Sequence, residues 1–326
     1  MPEYIKKNFR RWSIMGERPS FGFAVSELAK EDDSVMVVAA DVVNSAGLDR
    51  MRNEMPERVI NTGIAEQNMM GIATGLASEG YTVFTTSFAP FQAMRCLEQI
   101  RVNQGYMGQK LIMAGLASGV AYGELGFTHC CIEDVALLRS IPNIAVVVPA
   151  DCTETVKLTF AAAAYDGPVY IRLMDKTNVP MVYNEDYELQ IGRAVPLLEG
   201  GELALIANGP MVYQALQAAK RWNEENGIKA SVYDMHTVKP LDSGLLDRLK
   251  DMKAVITVEE HSIVGGLGSA VAEYYANLRN RPPVVRMGIP DEYCHGASHE
   301  FILKKYGLTA DGIYDRMKEI IKEEIG

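Results

Sequence analysis

Short apolar runs of strand length alternate with longer stretches of helical period along most of this 326-residue chain. Residues 144–148 are all apolar, which is typical of a parallel strand that is covered on both faces. Because parallel strands need helical crossover connections, the alternation predicts βαβ units and therefore an α/β fold with mostly parallel sheets. At roughly 150 residues per domain, the length fits two α/β domains.

The predicted elements form two groups, separated by a stretch without a sustained period. In the first group we expect strands at 35–40, 82–86, 110–114, 145–148 and 169–172, and helices at 20–30, 66–78, 88–106, 132–140 and 151–164. After a linker at 178–201 with room for a short strand, we expect strands at 203–207, 230–234, 254–258 and 284–287, helices at 211–225, 243–249 and 268–278, and two closing helices. The pattern therefore predicts that the first domain ends near Tyr183.

The charge balance argues against nucleic acid and membrane partners. The chain has 32 basic and 42 acidic residues, a formal charge of -10, which repels nucleic acid and anionic lipid surfaces. No apolar run approaches the roughly 18 residues of a membrane span, and no signal-peptide core is found. We therefore expect a cytoplasmic protein. The five cysteines form no CxxC pair and no zinc-ligand spacing, so buried, reduced thiols are expected.

The segment NTGIAEQNMMGIATG, residues 61–75, places a carboxylate where parallel sheets bind ligands. A strand that ends at Asn61 and a helix that begins near Glu66 set this side chain at the carboxyl edge of the sheet. A glutamate in a first helical turn can also simply complement the helix dipole, and from position alone that role is the commoner one. Gln67 and Asn68 add polar groups that a structural helix start does not need.

Two further segments carry groups suited to a planar ligand. Within TTSFAPFQAM, residues 85–94, Phe88 and Phe91 are three positions apart, so on one helical turn their rings would face the same side. Core packing is the commoner role of such a pair. The glycine-rich segment 115–129 ends at His129, which could be an acid, a base or a donor to a substrate hydroxyl, although a lone histidine is more often structural.

Common nucleotide and zinc-peptidase motifs are absent. Neither GxGxxG nor GxxxxGK[ST] occurs, and GGLG at 265–268 matches neither spacing and predicts a helix-entry turn. HExxH is also absent. The EEH sequence at 259–261 follows a strand and could line a polar cavity, but a surface position is the commoner case.

In combination, these segments resemble the C-terminal half of the transketolase family of thiamine diphosphate enzymes. The anchors occur in the family's order: AADVVNSA (39–46), GIAEQNMMGIA (63–73), TTSFAPF (85–91), THCCIEDVALLR (128–139) and GPVYIR (167–172). VEEHSIVGGLGSAVAE (258–273) and KYGLTADGI (305–313) are similar to the family's third domain. The resemblance begins near Arg18 and implies a pyrimidine-binding domain at 15–185 followed by the transketolase C-terminal domain at 190–326.

The resemblance also implies a cofactor site. Glu66 would be the catalytic glutamate, hydrogen-bonded to N1′ of the thiamine diphosphate pyrimidine so that the ring can remove the C2 proton. Four other residues would contact the cofactor: Ile64, Phe88, Phe91 and Met94. Met94 stands where the family has a further aromatic residue, and its thioether can still pack against a ring.

A substrate site is implied in the same way. His129 would be a catalytic residue that meets the substrate near the reacting carbon. Three residues occupy the positions that bind the phosphate of the sugar: Arg18, Ser45 and Arg172. Met113 and Leu125 replace a histidine and an aspartate of the family pattern, which suggests a donor with a different or missing hydroxyl near the cleaved bond.

The family's N-terminal diphosphate domain, whose GDG-containing motif carries the metal, has no counterpart in this sequence. The resemblance therefore implies a separate N-terminal transketolase subunit that supplies the Mg²⁺ and diphosphate site, with two copies of each chain and no metal site on this one. The implied activity is transfer of a two-carbon ketol unit from a ketose phosphate to an aldose.

Three alternatives stay open. The beta subunit of a 2-oxo acid dehydrogenase has nearly this length, but GIAEQN and THCCIED favour a transketolase. A 1-deoxyxylulose-5-phosphate synthase-like enzyme is usually one longer chain. A regulatory subunit that kept the fold would not need Glu66.

Overall fold

Two sheets divide the chain between them, and both are built mainly from parallel strands. The computed structural model describes residues 8–174 and 179–322. Residue 178, where the predicted linker begins, and residues 323–326 of the predicted second domain lie outside the described ranges.

The helices and strands of the described residues follow the predicted alternation. In chain order, the strands are β1 (Val35–Ala39), β2 (Val59–Asn61), β3 (Thr82–Phe88), β4 (Leu111–Leu116), β5 (Ala145–Val147), β6 (Val169–Arg172), β7 (Val195–Leu198), β8 (Leu203–Ala207), β9 (Ala230–Asp234), β10 (Thr237–Lys239), β11 (Ala254–Ser262) and β12 (Val284–Ile289). The α-helices are α1 (Phe9–Met15), α2 (Glu17–Glu31), α3 (Asp49–Glu54), α4 (Glu66–Ser78), α5 (Leu97–Gln99), α6 (Asp134–Arg139), α7 (Cys152–Ala164), α8 (Met211–Glu225), α9 (Ser243–Arg248), α10 (Leu267–Ala276), α11 (His299–Lys305) and α12 (Ala310–Ile320). Wider helical turns at Phe91–Arg95 and Ile100–Tyr106 flank α5.

The first sheet has the strand order β10-β5-β6-β4-β3-β1-β2, and the second has the order β12-β11-β8-β9-β7. Every neighbouring pair is parallel except β10 with β5 and β7 with β9. Strands β1, β4 and β8 are buried at every residue, as expected for strands covered on both faces. The predicted α/β class with mostly parallel sheets is confirmed.

Strand β10 ties the two halves of the chain together. It follows β9 of the second sheet but pairs with β5 of the first, with Thr237 opposite Val147. The N–H of Val148 also donates to the carbonyl of His236 at 2.7 Å. The sequence did not predict this strand, because three residues are too few to show a period.

Other departures from the predicted elements lie near chain reversals. Strand β3 runs as far as Phe88, so the helix predicted from that residue begins after it, at the turns of Phe91–Arg95. Helices α1 and α3 were not predicted. Helix α1 buries Trp12, whose ring lies 4.7 Å from that of Phe23, centroid to centroid.

The EEH segment is not at the surface, so the surface position favoured for it is wrong. Glu259, Glu260 and His261 are each 1% exposed at the end of β11. Glu259 accepts hydrogen bonds from the N–H groups of Leu267, at 2.7 Å, and Gly268, at 2.8 Å. This carboxylate thereby satisfies the first turn of α10, which begins at the predicted helix-entry turn.

All five cysteines are buried and free, as expected. Among the helices that the structure describes, none is both long enough and apolar enough to cross a membrane.

Candidate active site

The carboxyl ends of β1 to β4 meet at one edge of the first sheet, and the candidate residues lie along it. Asn61 ends β2, and its Oδ1 accepts hydrogen bonds from the N–H groups of Gly63 and Asp41, each at 3.0 Å. This fixes a turn in which Gly63 has a φ of 69°, a conformation that favours glycine. The turn leads into α4, whose first residue is Glu66.

Glu66 is a buried carboxylate with one cationic neighbour. It is 3% exposed, and both of its oxygens lie 2.8 Å from Nη1 of Arg95. Its place in the first turn also lets the N-terminal end of the helix dipole stabilise a negative charge. The predicted position of this carboxylate at the helix start is confirmed, whereas its pairing with Arg95 was not predicted.

Arg95 is a residue of the candidate site that sequence reasoning missed, as is Tyr122. Its Cζ lies 4.1 Å from the centroid of the Phe91 ring, and its carbonyl accepts a hydrogen bond from Nε2 of Gln67 at 3.1 Å. Its side chain is 45% exposed. The spacing from Phe91 to Arg95 is i to i+4, which places a cation and a ring on one helical face, and this was the available signal.

The two phenylalanines come together across a junction between a strand and a helical segment. Phe88 is the last residue of β3, and Phe91 begins the helical turns that follow, so the predicted shared helical turn is wrong. Their ring centroids are nevertheless 6.4 Å apart with an edge-to-face angle of 77°, which is a favourable aromatic geometry.

The loop at 117–131 brings two further rings, those of His129 and Tyr122, to the phenylalanine pair. The His129 ring lies 5.8 Å from that of Phe91, edge to face, and the Tyr122 ring lies 5.6 Å from that of Phe88. His129 Nδ1 is 3.0 Å from the hydroxyl of Thr128. The structure therefore brings the two phenylalanines and His129 together. Glu66 is joined to them through Arg95, which contacts both its carboxylate and the Phe91 ring.

Arg18 joins this group through Tyr122, whose hydroxyl accepts a hydrogen bond from Arg18 Nη1 at 3.2 Å. Ser45 lies on a segment that packs against Arg18. A Cβ on Gly47 would be 3.0 Å from the Arg18 carbonyl oxygen and 2.6 Å from Pro19 Cα, so the two backbones touch at a position that tolerates only glycine. Arg18 and Ser45 are both partly exposed.

Arg172 is not part of this surface. It is 2% exposed, and its Nε donates to both carboxylate oxygens of Asp134, at 3.0 and 2.9 Å. Its Nη2 donates to the carbonyl oxygens of Cys131 and Glu260, each at 3.0 Å. The guanidinium is held inside the protein between the two domains, so in this structure Arg172 is not presented to a phosphate in the expected way.

Exposure separates the remaining candidates. Ile64, two residues before Glu66, is 78% exposed, and Met94, next to Arg95, is 38% exposed. Met113 is 0% exposed and packs in a hydrophobic core built by side chains of both domains, so it cannot contact a sugar there. Leu125 is 58% exposed. In the described part of the chain, no group of three His, Cys, Asp or Glu side chains is arranged to hold a metal ion.

The fold is that of a two-domain α/β protein, and the candidate site residues lie at the carboxyl edge of its first sheet. The family model "Transketolase, pyrimidine binding domain" matches residues 17–180, and the model "Transketolase, C-terminal domain" matches residues 192–313. The chain therefore belongs to the transketolase family.

Its relatives include separate transketolase subunits. It is 40% identical to one of the subunits of the apulose-4-phosphate transketolase of Phocaeicola vulgatus, over 94% of this chain and 97% of that one. It is 36% identical to the 6-deoxy-6-sulfo-D-fructose transketolase subunit SqwH of a Clostridium species, over 91% and 92% of the two chains. A solved structure described as a split-gene transketolase, inactive beta4 tetramer, matches with a TM-score of 0.84 and 39% identity, over 95% of this chain and 99% of that one.

Proposed function

We propose that this chain is the C-terminal subunit of a two-chain, thiamine diphosphate-dependent transketolase, which moves a two-carbon ketol unit from a ketose phosphate to an aldose. The observation that carries the proposal is the buried carboxylate of Glu66, which Arg95 links to the Phe88–Phe91 pair at the carboxyl edge of the sheet. The relatives that are named as transketolase subunits, and that this chain spans almost fully, support it.

The residues at this edge fit the aminopyrimidine of the cofactor. A buried carboxylate can accept a hydrogen bond from a ring nitrogen, and an aromatic pair can pack against the ring. We assign Glu66 to the pyrimidine N1′ and place Ile64, Phe88, Phe91 and Met94 around the ring. When bound, thiamine diphosphate supplies the nucleophilic carbon for cleaving and forming bonds next to a carbonyl.

Glu66 is proposed to share a proton with N1′, and Arg95 constrains how it does so. Arg95 Nη1 contacts both oxygens of the carboxylate, so N1′ would either bond to a lone pair that this cation leaves open or displace the cation. Its side chain is nearly half exposed, and it can therefore turn toward solvent. Arg95 thus belongs to the proposed cofactor site.

The substrate is proposed to lie between His129 and Arg18. His129 packs against the aromatic pair and would bond to the substrate near its reacting carbon. Arg18 and Ser45 would bind the phosphate, because a guanidinium can hold an anion in a fixed orientation through charge-assisted bonds. Since Leu125 offers no carboxylate to a sugar hydroxyl, we propose a donor with a different or missing hydroxyl near the cleaved bond.

The diphosphate and Mg²⁺ are proposed to be bound mainly by a partner, an N-terminal transketolase subunit that carries the GDG motif. The exposed apolar side chains of Ile64 and Met94 beside Glu66 support a shared site, because apolar surface next to a ligand is normally covered. We propose two copies of each chain in a cytoplasmic complex.

Reconstitution tests the function. The purified chain is expected to show no ketol transfer with thiamine diphosphate and Mg²⁺, and mixing it with the N-terminal subunit should restore transfer from a ketose phosphate. The donors for which the two relatives are named, and xylulose 5-phosphate, form the first panel. Turnover by the single chain, freed of any co-purified partner, would overturn the two-chain proposal, and no transfer by the mixture would overturn the activity.

A further inference from the structure

The second domain reaches the proposed substrate site through one buried carboxylate. We propose that Glu260 is a positioning residue that anchors the 117–131 loop and thereby sets Tyr122 and His129 at the substrate. This inference rests on the proposed function for its effect on substrate, whereas the anchoring itself can be tested on the chain alone.

Glu260 makes the anchoring contacts with its two oxygens. Oε1 accepts a hydrogen bond from the N–H of Val120 at 2.9 Å, and Oε2 lies 2.9 Å from Nε2 of His299. The carboxylate is 1% exposed, so water does not compete for either contact. A hydrogen bond to a charged acceptor in such a place is stronger than a neutral or exposed one.

His299 keeps this carboxylate charged. Burial acts to raise the pKa of Glu260, but His299 and the Val120 N–H outweigh it and hold the pKa below its ordinary range. His299 comes from the start of α11, so Glu260 is fixed by its own domain on one side and holds the loop on the other.

Two glycines of the loop show how closely the second domain approaches. A Cβ on Gly119, which has a φ of 63°, would lie 2.4 Å from Glu260 Oε1. A Cβ on Gly123 would lie 2.5 Å from the Ala297 carbonyl oxygen, and the Ala297 N–H donates to the Gly123 carbonyl at 3.0 Å. These positions accept only glycine because the second domain occupies the space.

The loop is also apolar where it meets the second domain. Val120, Cys130 and Ile132 are buried in the hydrophobic core of that domain rather than in the core of the first. Between these buried points lie Tyr122 and His129, the two residues that contact the aromatic pair. The buried ends therefore determine where the two substrate-facing rings stand.

Glu259 provides a matched control. It is the preceding residue, has the same side chain and the same 1% exposure, but its oxygens accept from the N–H groups at the start of α10 and not from the loop. Loss of either carboxylate leaves buried N–H groups without an acceptor, so general destabilisation is common to both variants. An effect confined to the loop belongs to Glu260.

The experiment compares Glu260→Ala, Glu260→Gln and Glu259→Ala. In the isolated chain, hydrogen–deuterium exchange of residues 117–131 is expected to speed up by roughly tenfold in E260A, as loss of a charge-assisted bond predicts. In the reconstituted complex, KM for the ketose phosphate should rise by about tenfold, with a smaller change in kcat. E260Q keeps an oxygen for Val120 and should stay within about threefold of wild type on both measures. E259A should leave loop exchange and KM unchanged.

Several results would overturn the proposal: wild-type loop exchange in E260A, equal loop exchange in E260A and E259A, or E260Q behaving like E260A. An unchanged KM in an active E260A complex would remove the link to substrate. If the wild-type complex transfers no ketol unit, the proposed function fails, and exchange of the loop in the isolated chain still decides the anchoring.

Discussion

Arg95 and Glu66 form an ion pair in which a single nitrogen, Nη1, lies 2.8 Å from both carboxylate oxygens. The same guanidinium stacks over the ring of Phe91 at 4.1 Å. A planar, nitrogen-rich group thus already contacts the acid and the aromatic ring that we assign to the pyrimidine. We therefore expect the cofactor ring to displace this guanidinium from the face of Phe91.

Changing Glu66 to Gln should remove most of the activity while leaving the fold in place. The amide has the same shape and can still bond to Arg95, but it cannot accept and return a proton at N1′. Because acid–base contributions of this kind are on the order of 10² to 10⁴ in rate, we expect kcat of the reconstituted complex to fall by about that factor. Deuterium exchange at the cofactor C2 should slow in parallel.

If C2 exchange in the E66Q complex proceeds at the wild-type rate, Glu66 is not the group that activates the cofactor. A matched control is Glu79→Gln, because Glu79 is exposed just beyond α4. That variant should retain both turnover and C2 exchange.

Changing Arg95 to Ala should tighten cofactor binding to the complex by several-fold, roughly what the loss of one competing charged contact predicts. The measurement is the dissociation constant of thiamine diphosphate at fixed Mg²⁺. In the isolated chain the same change should cost about 1 to 2 kcal/mol of unfolding free energy, because Glu66 is left buried without its cation while Arg95 was half exposed.

A double-mutant cycle with E66Q separates these effects. We expect R95A to cost much less stability in the E66Q background, since the carboxylate it served is gone. Weaker cofactor binding by R95A would show that Arg95 supports the ring rather than competing with it.

Changing Arg172 to Ala should unfold the chain more readily instead of altering phosphate recognition. The substitution leaves Asp134 buried without its cation, and breaking a buried pair in this way costs about 3 to 5 kcal/mol. Urea titration of the isolated chain measures this loss. Arg18→Ala should behave in the opposite manner, with near-wild-type stability and a raised KM for phosphorylated donors. A stable R172A with weakened phosphate binding would reinstate Arg172 as a ligand.

Stability should fall as the pH rises from about 6.5 to 8. Burial raises the pKa of Glu17 to about 8, and that of Asp234 and Glu259 to about 7. The folded chain therefore keeps protons on these carboxyl groups that the unfolded chain has already released. Each such group lowers the unfolding free energy by up to about 1.4 kcal/mol per pH unit, until the pH passes its pKa in the folded chain. Burial lowers the pKa of His236 and His261 to about 4, so their opposite effect is complete by about pH 6.5.

Glu17→Gln should flatten this decline, because the amide can still accept from the Met174 N–H but carries no proton to lose. Denaturation curves at several pH values give the slope. If the E17Q chain keeps the wild-type slope, titration of Glu17 does not contribute to the decline.

Local sequence patterns located those features that depend on nearby residues. Helix α4 was predicted with its observed bounds, since small residues, an acidic first turn and a preceding strand all lie within one short segment. Long-range pairings could not be read in this way. Arg172 meets Asp134 across 38 positions, and Glu260 meets Val120 across 140, so neither partner is signalled by spacing. The sequence around Arg172 and around Glu260 shows only a charged residue next to an apolar run. Such a residue more commonly lies at the surface or binds a ligand.

The pairing of β10 with β5 has a consequence for any attempt to divide this chain. A fragment that stops after the first domain would lack β10 and expose the edge of β5, with its backbone N–H and carbonyl groups available to other chains. The fragment would be expected to associate through that edge. Chimaeras that combine the first domain of this chain with the second domain of a related subunit are restricted in the same way. The second domain must bring a strand that pairs in register with Val146 and Val147 of β5. The two halves are therefore expected to be exchangeable only as one unit.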